Sequence, residues 1–180
     1  MRNLEEVVFV DDSSKRNSAN YWKKVYGKNP GTFLIAISRL FLILISKYFP
    51  GMRFKLALLR LSGMKIGKNV DIAPSTLDPS FPHLIEIGDG ATIGWDVMIL
   101  CHEFTRDKFR KGKVVIGKNA TIGARSLVLA GVTVGNNAVV GACSLVNKNV
   151  EPNSIVGGVP IKPLDIKPVN KPKNSAKKNK

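Results

Sequence analysis

A six-residue repeat of aliphatic residues constrains the fold of this chain more than any other feature. Glycine follows seven of its eleven positions, and a small or β-branched residue stands four places after ten of them. An internal repeat of this regularity predicts a solenoid, in which each repeat is covered by its neighbours. The repeat positions are Ile66, Ile72, Ile87, Ile93, Ile99, Ile116, Ile122, Val128, Val134, Val140 and Val146.

A period of six matches neither a helix nor a continuous strand. A helix requires an apolar residue every three to four positions, and a half-buried strand requires one at every second position. Short strands joined by tight turns fit the period, because each strand then turns one large and one small residue into a narrow core. Glycine beside the aliphatic residue would let the backbone turn the corner. Three such strands form a coil, so the repeat predicts nearly four coils of an all-β solenoid.

The hexad pattern resembles that of the hexapeptide-repeat acyltransferases, which include maltose and galactoside O-acetyltransferase-like enzymes and polysaccharide O-acetyltransferases. The resemblance covers residues 63–163. It implies a left-handed parallel β-helix, a homotrimer with active sites between subunits, and transfer of an acyl group from acetyl-CoA. The left hand comes from the resemblance alone, because right-handed crossovers are the general rule.

The segments on either side of the repeat are different in composition. The apolar run at 33–49 predicts a helix, and a second helical pattern before Gly63 is expected to cap the first open coil. A tail rich in Lys, Pro and Asn predicts disorder. We therefore divide the chain into an N-terminal extension (1–31), a helical segment (32–63), a β-helix domain (64–163) and a disordered tail (164–180).

The excess positive charge lies outside the repeat. The net charge of the chain is +15, of which residues 1–65 carry +8, residues 66–161 carry +1 and residues 162–180 carry +6. A nucleic-acid partner is not expected, because no folded basic face with aromatic or groove-reading elements is visible. An anionic membrane surface or an acidic polysaccharide fits the charge better. Two cysteines and no signal-peptide pattern predict a cytoplasmic protein, with a peripheral contact to the inner face of the membrane left open.

The helix predicted over 33–49 has two interpretations. It would span about 25 Å, which is less than the roughly 30 Å of a bilayer core. Arg39, Ser46 and Lys47 share one face and form a narrow polar stripe. Such a helix either lies in a membrane interface or packs on the β-helix or a neighbouring subunit.

His102 is the predicted catalytic residue. Two insertions interrupt the repeat. One of nine residues follows Ile72, and one of eleven residues follows Ile99. His102 stands just before the second, a basic loop at 105–115 tipped by Phe109, and its hexad phase points outward. An acceptor hydroxyl needs a base as it attacks a thioester, and imidazole titrates in the right range. The stretch ILCHEF resembles the catalytic segment of the family.

The remaining site residues follow from the insertions and from the resemblance. The resemblance implies that the acyl-CoA arm lies in the groove between subunits along the later rungs, where small residues admit close approach and lysines can meet phosphates. The candidates for the acceptor are Asp78, Trp95 and Glu103. The candidates for the donor are Ala124, Ala142, Asn147, Lys148 and Lys162.

These features together predict an acetyl-CoA-dependent O-acetyltransferase that acts on a hydroxyl of a sugar or polysaccharide. A non-catalytic scaffold or a membrane-surface binding module on the same solenoid is the alternative. A zinc enzyme of the carbonic anhydrase type requires three histidine ligands. The chain contains only His83 and His102, so no metal is expected.

Overall fold

The computed structural model describes residues 2–8, 30–49, 51–105 and 108–165. Most of the predicted N-terminal extension and disordered tail lies outside these residues. The helices are α1 (Pro30–Tyr48) and α2 (Met52–Leu61). The strands are β1 (Glu5–Val8), β2 (Lys65–Ile66), β3 (Asp71–Ile72), β4 (Thr76–Leu77), β5 (Ile85–Ile87), β6 (Thr92–Ile93), β7 (Met98–Ile99), β8 (His102–Thr105), β9 (Lys108–Lys111), β10 (Val114–Ile116), β11 (Thr121–Ile122), β12 (Leu127–Val128), β13 (Thr133–Val134), β14 (Val139–Val140), β15 (Leu145–Val146), β16 (Ile155–Gly157) and β17 (Lys162–Pro163).

The short strands build a parallel β-helix with three faces. The first face contains β2, β5, β10 and β13, the second contains β3, β6, β11, β14 and β16, and the third contains β4, β7, β12 and β15. Neighbours within a face pair in parallel. Three consecutive strands visit the three faces in turn, so the chain completes four coils. A fifth begins where Val150 bridges Val134.

The hexad repeat forms the core, as predicted. Its large aliphatic residues are buried from Ile72 to Val146, and only Ile66 in the first coil is partly exposed. The small residues four positions later also point inward; Ala91, Ala120 and Ala138 have no accessible surface. Each coil therefore adds one layer of large and small side chains to a continuous apolar column.

The first insertion is shorter than the repeat predicts. The sequence placed nine extra residues after Ile72, but Thr76 and Leu77 form β4, and Leu77 pairs with Ile99 of the next coil. Leu77 stands five rather than six residues after Ile72, so a strict count of six misses this rung. The true insertion is 78–84, which ends in a short 3-10 turn at Pro82–Leu84.

Six of the seven repeat glycines are required for close packing rather than for an unusual backbone angle; at Gly141 an added Cβ would come no closer than 3.5 Å to its neighbours. None of the seven has a left-handed φ. A Cβ added to Gly94 would lie 2.7 Å from the backbone nitrogen of Ala124 in the next coil, so no side chain fits. Seven left-handed residues instead stand two positions after the repeat glycines: Asn69, Gly90, Asp96, Asn119, Arg125, Asn137 and Cys143.

Asparagines at the corner between the first and second faces form a ladder. Asn119 Nδ2 donates to Asn137 Oδ1 at 3.3 Å, and Asn137 Nδ2 donates to Asn153 Oδ1 at 2.9 Å. All three residues are left-handed, a conformation that asparagine accepts more readily than other residues with a side chain. The side chains thus link three coils at the position where the backbone turns.

Helix α2 covers the open end of the first coil, as expected. Lys55 Nζ donates to the Ile72 carbonyl at 2.6 Å, and Arg60 Nε donates to the Ile66 carbonyl at 3.0 Å. These carbonyls lie on the second and first faces, where no earlier coil exists to pair with them. Burial lowers the pKa of Lys55.

The second insertion is a β-hairpin and not a loop tipped by Phe109. Strands β8 and β9 pair antiparallel, and β1 adds a third strand beside β9. Phe109 faces inward and is 4% exposed. His102 opens the hairpin, and Val114 already belongs to the next coil. Antiparallel pairing accounts for the difference, because it folds the insertion back over the solenoid.

Helix α1 packs beside α2 through one narrow face. Ile43 joins the core cluster that contains Leu56 and Leu59 of α2. Among the described residues, no helix is both long and apolar enough to cross a membrane.

The left-handed corner gives a test of this fold. Replacing Asn137 by Ala or by Gly removes the same two side-chain hydrogen bonds, but only alanine is strained at a φ of 56°. We expect the alanine variant to be less stable than the glycine variant by about 1 kcal/mol in urea-induced unfolding. Equal stability of the two variants would contradict the left-handed geometry.

Candidate active site

Both insertions leave the solenoid at the corner between the third and first faces. Asp78 directly follows β4, and His102 stands three residues after the end of β7 at Ile99. Because Leu77 and Ile99 are paired in register, the two insertions emerge in adjacent coils. The result is a contact between His102 Nδ1 and Asp78 Oδ2 at 2.6 Å.

The Asp78 carboxylate is fixed by backbone groups around it. Its side chain has no accessible surface. Oδ2 also accepts the N–H of Cys101 at 2.8 Å, and Oδ1 accepts the N–H groups of Ser80 at 2.9 Å and Phe81 at 3.3 Å. A buried carboxylate requires such partners. Asp78 was predicted to contact an acceptor, but its burial and its four hydrogen bonds place it behind His102, where it can orient the ring.

The contact with Asp78 determines which nitrogen of His102 is available. In the neutral imidazole one nitrogen carries the proton and the other has a lone pair. Nδ1 donates to the carboxylate, so Nε2 keeps the lone pair. The His102 side chain is 21% exposed, which leaves the imidazole open to a small molecule. A base oriented by a buried carboxylate is suited to removing a proton from a bound hydroxyl.

Three phenylalanines surround the imidazole. The ring centroids of Phe81, Phe109 and Phe104 lie 5.4, 6.0 and 6.1 Å from that of His102. Phe81 and Phe109 are buried, whereas Phe104 is 54% exposed. They restrict the ring and make its surroundings apolar. Phe81 lies in an insertion and has no repeat position, so periodicity did not predict it.

Glu103 lies beside His102 in sequence but is engaged elsewhere. Its Oε2 pairs with Arg2 Nη1 at 2.9 Å, and its Oε1 pairs with Arg110 Nη1 at 3.4 Å. These ion pairs join the N-terminal residues to the hairpin. The arrangement shows a structural role for this carboxylate, while the predicted contact with an acceptor stays a prediction.

The other predicted residues lie at two different corners of the solenoid. Asn147 and Lys148 follow β15 and so lie at the corner of His102, two coils further on. Trp95, Ala124 and Ala142 are stacked at the corner between the second and third faces. There the Arg125 N–H donates to the Trp95 carbonyl, and the Cys143 N–H donates to the Ala124 carbonyl, both at 2.8 Å. The last predicted residue, Lys162, is exposed on β17.

Asn147 has an unusual side-chain environment. Its Oδ1 is buried and has no hydrogen-bond partner among the described residues. An unsatisfied buried acceptor costs about 1–3 kcal/mol, so it requires an explanation such as a ligand donor. The described residues contain no group of three or more His, Cys, Asp or Glu side chains placed to hold a metal ion.

Comparisons with known proteins identify relatives in sequence. The family described as "Bacterial transferase hexapeptide (six repeats)" matches residues 113–148. The Bacillus subtilis protein named "Putative acetyltransferase YvoF" is 37% identical over 148 residues, which cover 81% of this chain and 85% of the relative. "Protein CapG" of Staphylococcus aureus is 42% identical over 117 residues, covering 59% and 67%. The Escherichia coli protein named "Putative colanic acid biosynthesis acetyltransferase WcaF" is 35% identical over 79 residues, covering 44% and 38%.

Solved structures share the fold. An acetyltransferase from Vibrio cholerae, VCA0836 in complex with acetyl coenzyme A, has a TM-score of 0.63 at 22% identity and covers 77% of this chain and 90% of its own. A galactoside acetyltransferase in complex with coenzyme A has a TM-score of 0.62 at 19% identity, covering 81% and 88%. These likenesses confirm the predicted fold class, a left-handed parallel β-helix with N-terminal helices.

The orientation of His102 can be tested without a substrate. In Asp78→Asn the N–H groups of Ser80 and Phe81 are expected to hold the amide oxygen at the Oδ1 position, so the NH2 group faces Nδ1 and the proton is expected to shift from Nδ1 toward Nε2. Nitrogen-15 NMR of labelled histidine measures this change. Asp96→Asn, at an exposed carboxylate, is the matched control and should leave the His102 spectrum unchanged. An unchanged His102 spectrum in Asp78→Asn would refute the contact.

Proposed function

Because this chain belongs to the bacterial hexapeptide-repeat transferases, we propose that it transfers an acetyl group from acetyl-CoA to a hydroxyl of a sugar or polysaccharide. Named acetyltransferases among its relatives support acyl transfer as the class of reaction. The observation that carries the proposal is the His102–Asp78 pair, 2.6 Å apart, at the corner of the solenoid where both insertions emerge.

The pair supplies the proton transfer that the reaction needs. His102 Nε2 accepts the proton of the acceptor hydroxyl while the hydroxyl oxygen attacks the thioester carbonyl. The Asp78 carboxylate stabilises the imidazolium that forms, and a nearby backbone N–H stabilises the oxyanion. The carbon–sulfur bond then breaks, and the proton passes from the imidazolium to the departing thiolate. The products are the acetyl ester and free CoA.

The donor is expected to lie along the later coils. Ala124 and Ala142 are small, and Ala142 is exposed, so a pantetheine arm could approach the backbone there. Lys148 and Lys162 are exposed and can meet phosphates. The unpaired Oδ1 of Asn147 fits an amide N–H of the arm. Structural neighbours with bound CoA or acetyl-CoA support this choice of donor.

A homotrimer would unite the predicted residues. Within one chain, His102 and Asn147 lie at one corner, and Ala124 and Ala142 lie at another. In the proposed trimer, a cleft between subunits would bring the corner that carries His102 in one copy against the corner that carries Ala124 and Ala142 in its neighbour. The proposal therefore places each active site between two subunits.

The acceptor class is supported by the name of one relative and by two exposed aromatic side chains. The name of the Escherichia coli relative refers to colanic acid biosynthesis, which favours a saccharide acceptor. Phe104 offers an exposed aromatic surface 6.1 Å from His102. Trp95, two-thirds exposed at the other corner, can line the same cleft in the proposed trimer.

A non-catalytic scaffold is the competing function. A scaffold has no need to bury a carboxylate against an accessible histidine, and it has no reason to bind a donor. Thermal unfolding with and without acetyl-CoA separates the two, because a ligand that binds the folded state raises the melting temperature. The absence of any rise at saturating acetyl-CoA would favour the scaffold.

His102→Gln tests the base directly. It removes the titratable group, so we expect the rate of acetyl transfer to fall by at least about 100-fold. CoA release is measured with a thiol reagent across a panel of saccharide acceptors. His83→Gln, at the other histidine, is the matched control and should keep most of the activity. Undiminished turnover in His102→Gln would remove this residue from the mechanism.

The two cysteines report on the donor position. Burial, together with the nearby Asp78 charge, raises the pKa of the Cys101 thiol well above its usual range, whereas Cys143 is exposed. We expect a thiol reagent to label Cys143 alone in the folded protein. Because Cys143 follows Ala142, saturating acetyl-CoA should slow this labelling, and ATP at the same concentration should not. An unchanged labelling rate would move the donor away from this corner.

A further inference from the structure

The outer face of α1 is an uncovered apolar surface. Six of its side chains, spread over four turns, are between 47% and 77% exposed: Leu34, Ile35, Ile37, Phe41, Leu44 and Tyr48. Ser38 is also exposed on α1 and is polar, but its hydroxyl donates to the Ile35 carbonyl within the helix. Soluble monomers rarely expose contiguous apolar surface of this extent.

The charged residues of α1 face the opposite way. Lys47 Nζ reaches Thr76 Oγ1 of β4 at 3.4 Å. Arg39 lies beside Gly63, since a Cβ added there would be 3.9 Å from the guanidinium carbon, and its charge helps to lower the pKa of His83 after the larger effect of burial. The polar stripe predicted from the sequence therefore faces the protein and leaves the outer face apolar.

The neighbouring surface of α2 adds basic and aromatic groups to the same end of the molecule. Phe54 and Leu61 are 51% and 72% exposed, and Arg53, which directly precedes Phe54, is also exposed. The Phe49 and Phe54 rings stack at 4.4 Å across the connection between the helices. Aromatic and basic side chains together are typical of surfaces that enter a lipid headgroup region.

The local charge identifies the kind of partner. Within the described residues 30–49 and 51–70 the chain has seven Lys and Arg residues and no Asp or Glu, and four of the seven are exposed: Arg53, Arg60, Lys65 and Lys68. Two copies that met through this end of the molecule would bring these exposed cations together. An anionic lipid surface supplies both the apolar layer and the opposite charge.

We infer that the outer face of α1 binds an anionic lipid bilayer, with the helix lying in the plane of the interface. At 19 residues the helix is about 28 Å long. Its other side is held by α2 and the first coil, so it cannot enter the bilayer end-on without leaving the protein. The insertion that carries Asp78 lies by the inner side of the same helix, because His83 and Arg39 both lie beside Gly63.

Vesicle sedimentation with the full chain tests the inference. We expect binding to vesicles of phosphatidylcholine with one-third phosphatidylglycerol, weaker binding to phosphatidylcholine alone, and loss of affinity with added salt. Phe41→Ser combined with Leu44→Ser should lower the affinity at least about tenfold, because two apolar side chains no longer enter the lipid. Val159→Ser combined with Leu164→Ser, which changes two exposed apolar residues beyond the last coil, is the matched control and should bind as the unmodified chain does.

Three results would overturn the inference. The unmodified chain could fail to bind anionic vesicles. The α1 variant could bind as well as the unmodified chain, which would assign binding to the basic ends. Light scattering could show that the α1 variant loses an oligomer while no form binds lipid, which would assign the face to a second copy. Circular dichroism checks that each variant is folded, and the acetyl-CoA melting experiment tests donor binding separately.

Discussion

The close parallel contact between successive coils is the constraint on which the rest of the structure depends. At several corners the backbone of one coil occupies the space where a side chain of the previous coil would stand, as at Gly94 and Ala124. This contact fixes the register of every strand, because a shift by one residue would turn the aliphatic side chains outward. The left-handed residues and the asparagine ladder follow from this contact, since the corners of successive coils must be aligned with one another.

The site is a consequence of that register. Asp78 and His102 are 24 residues apart in sequence, yet the pairing of Leu77 with Ile99 brings them together. Neither insertion could position its residue alone, since both lie outside the repeat. The rigid third face fixes where each one starts, and the backbone N–H groups of the first insertion fix the carboxylate. The contact between the two side chains is thus held by the scaffold and not by a long, adjustable loop.

Sequence periodicity was sufficient for the core and for the outward position of His102, because both depend on counting residues between buried positions. It was not sufficient for Asp78, whose partner is set by the path of a non-periodic insertion. It also missed Leu77, since that corner is one residue short, and Phe81, which has no repeat position. For α1 the sequence showed a polar stripe correctly. Which way the stripe faces depends on tertiary contacts with β4 and Gly63 that no local pattern encodes.

The exit of both insertions from one corner separates the parts of this protein that must stay constant from those that can change. The segments 78–84 and 100–113 begin and end on strands whose positions are determined by the solenoid, so their exposed parts can vary without disturbing the coils. Buried residues such as Asp78, Phe81, Cys101 and Phe109 do not have this freedom. Loops tolerate such variation far better than packed strands do. Variation confined to the exposed parts of the two insertions would change the surface around His102, while Asp78, His102 and the coils that align them remain unchanged.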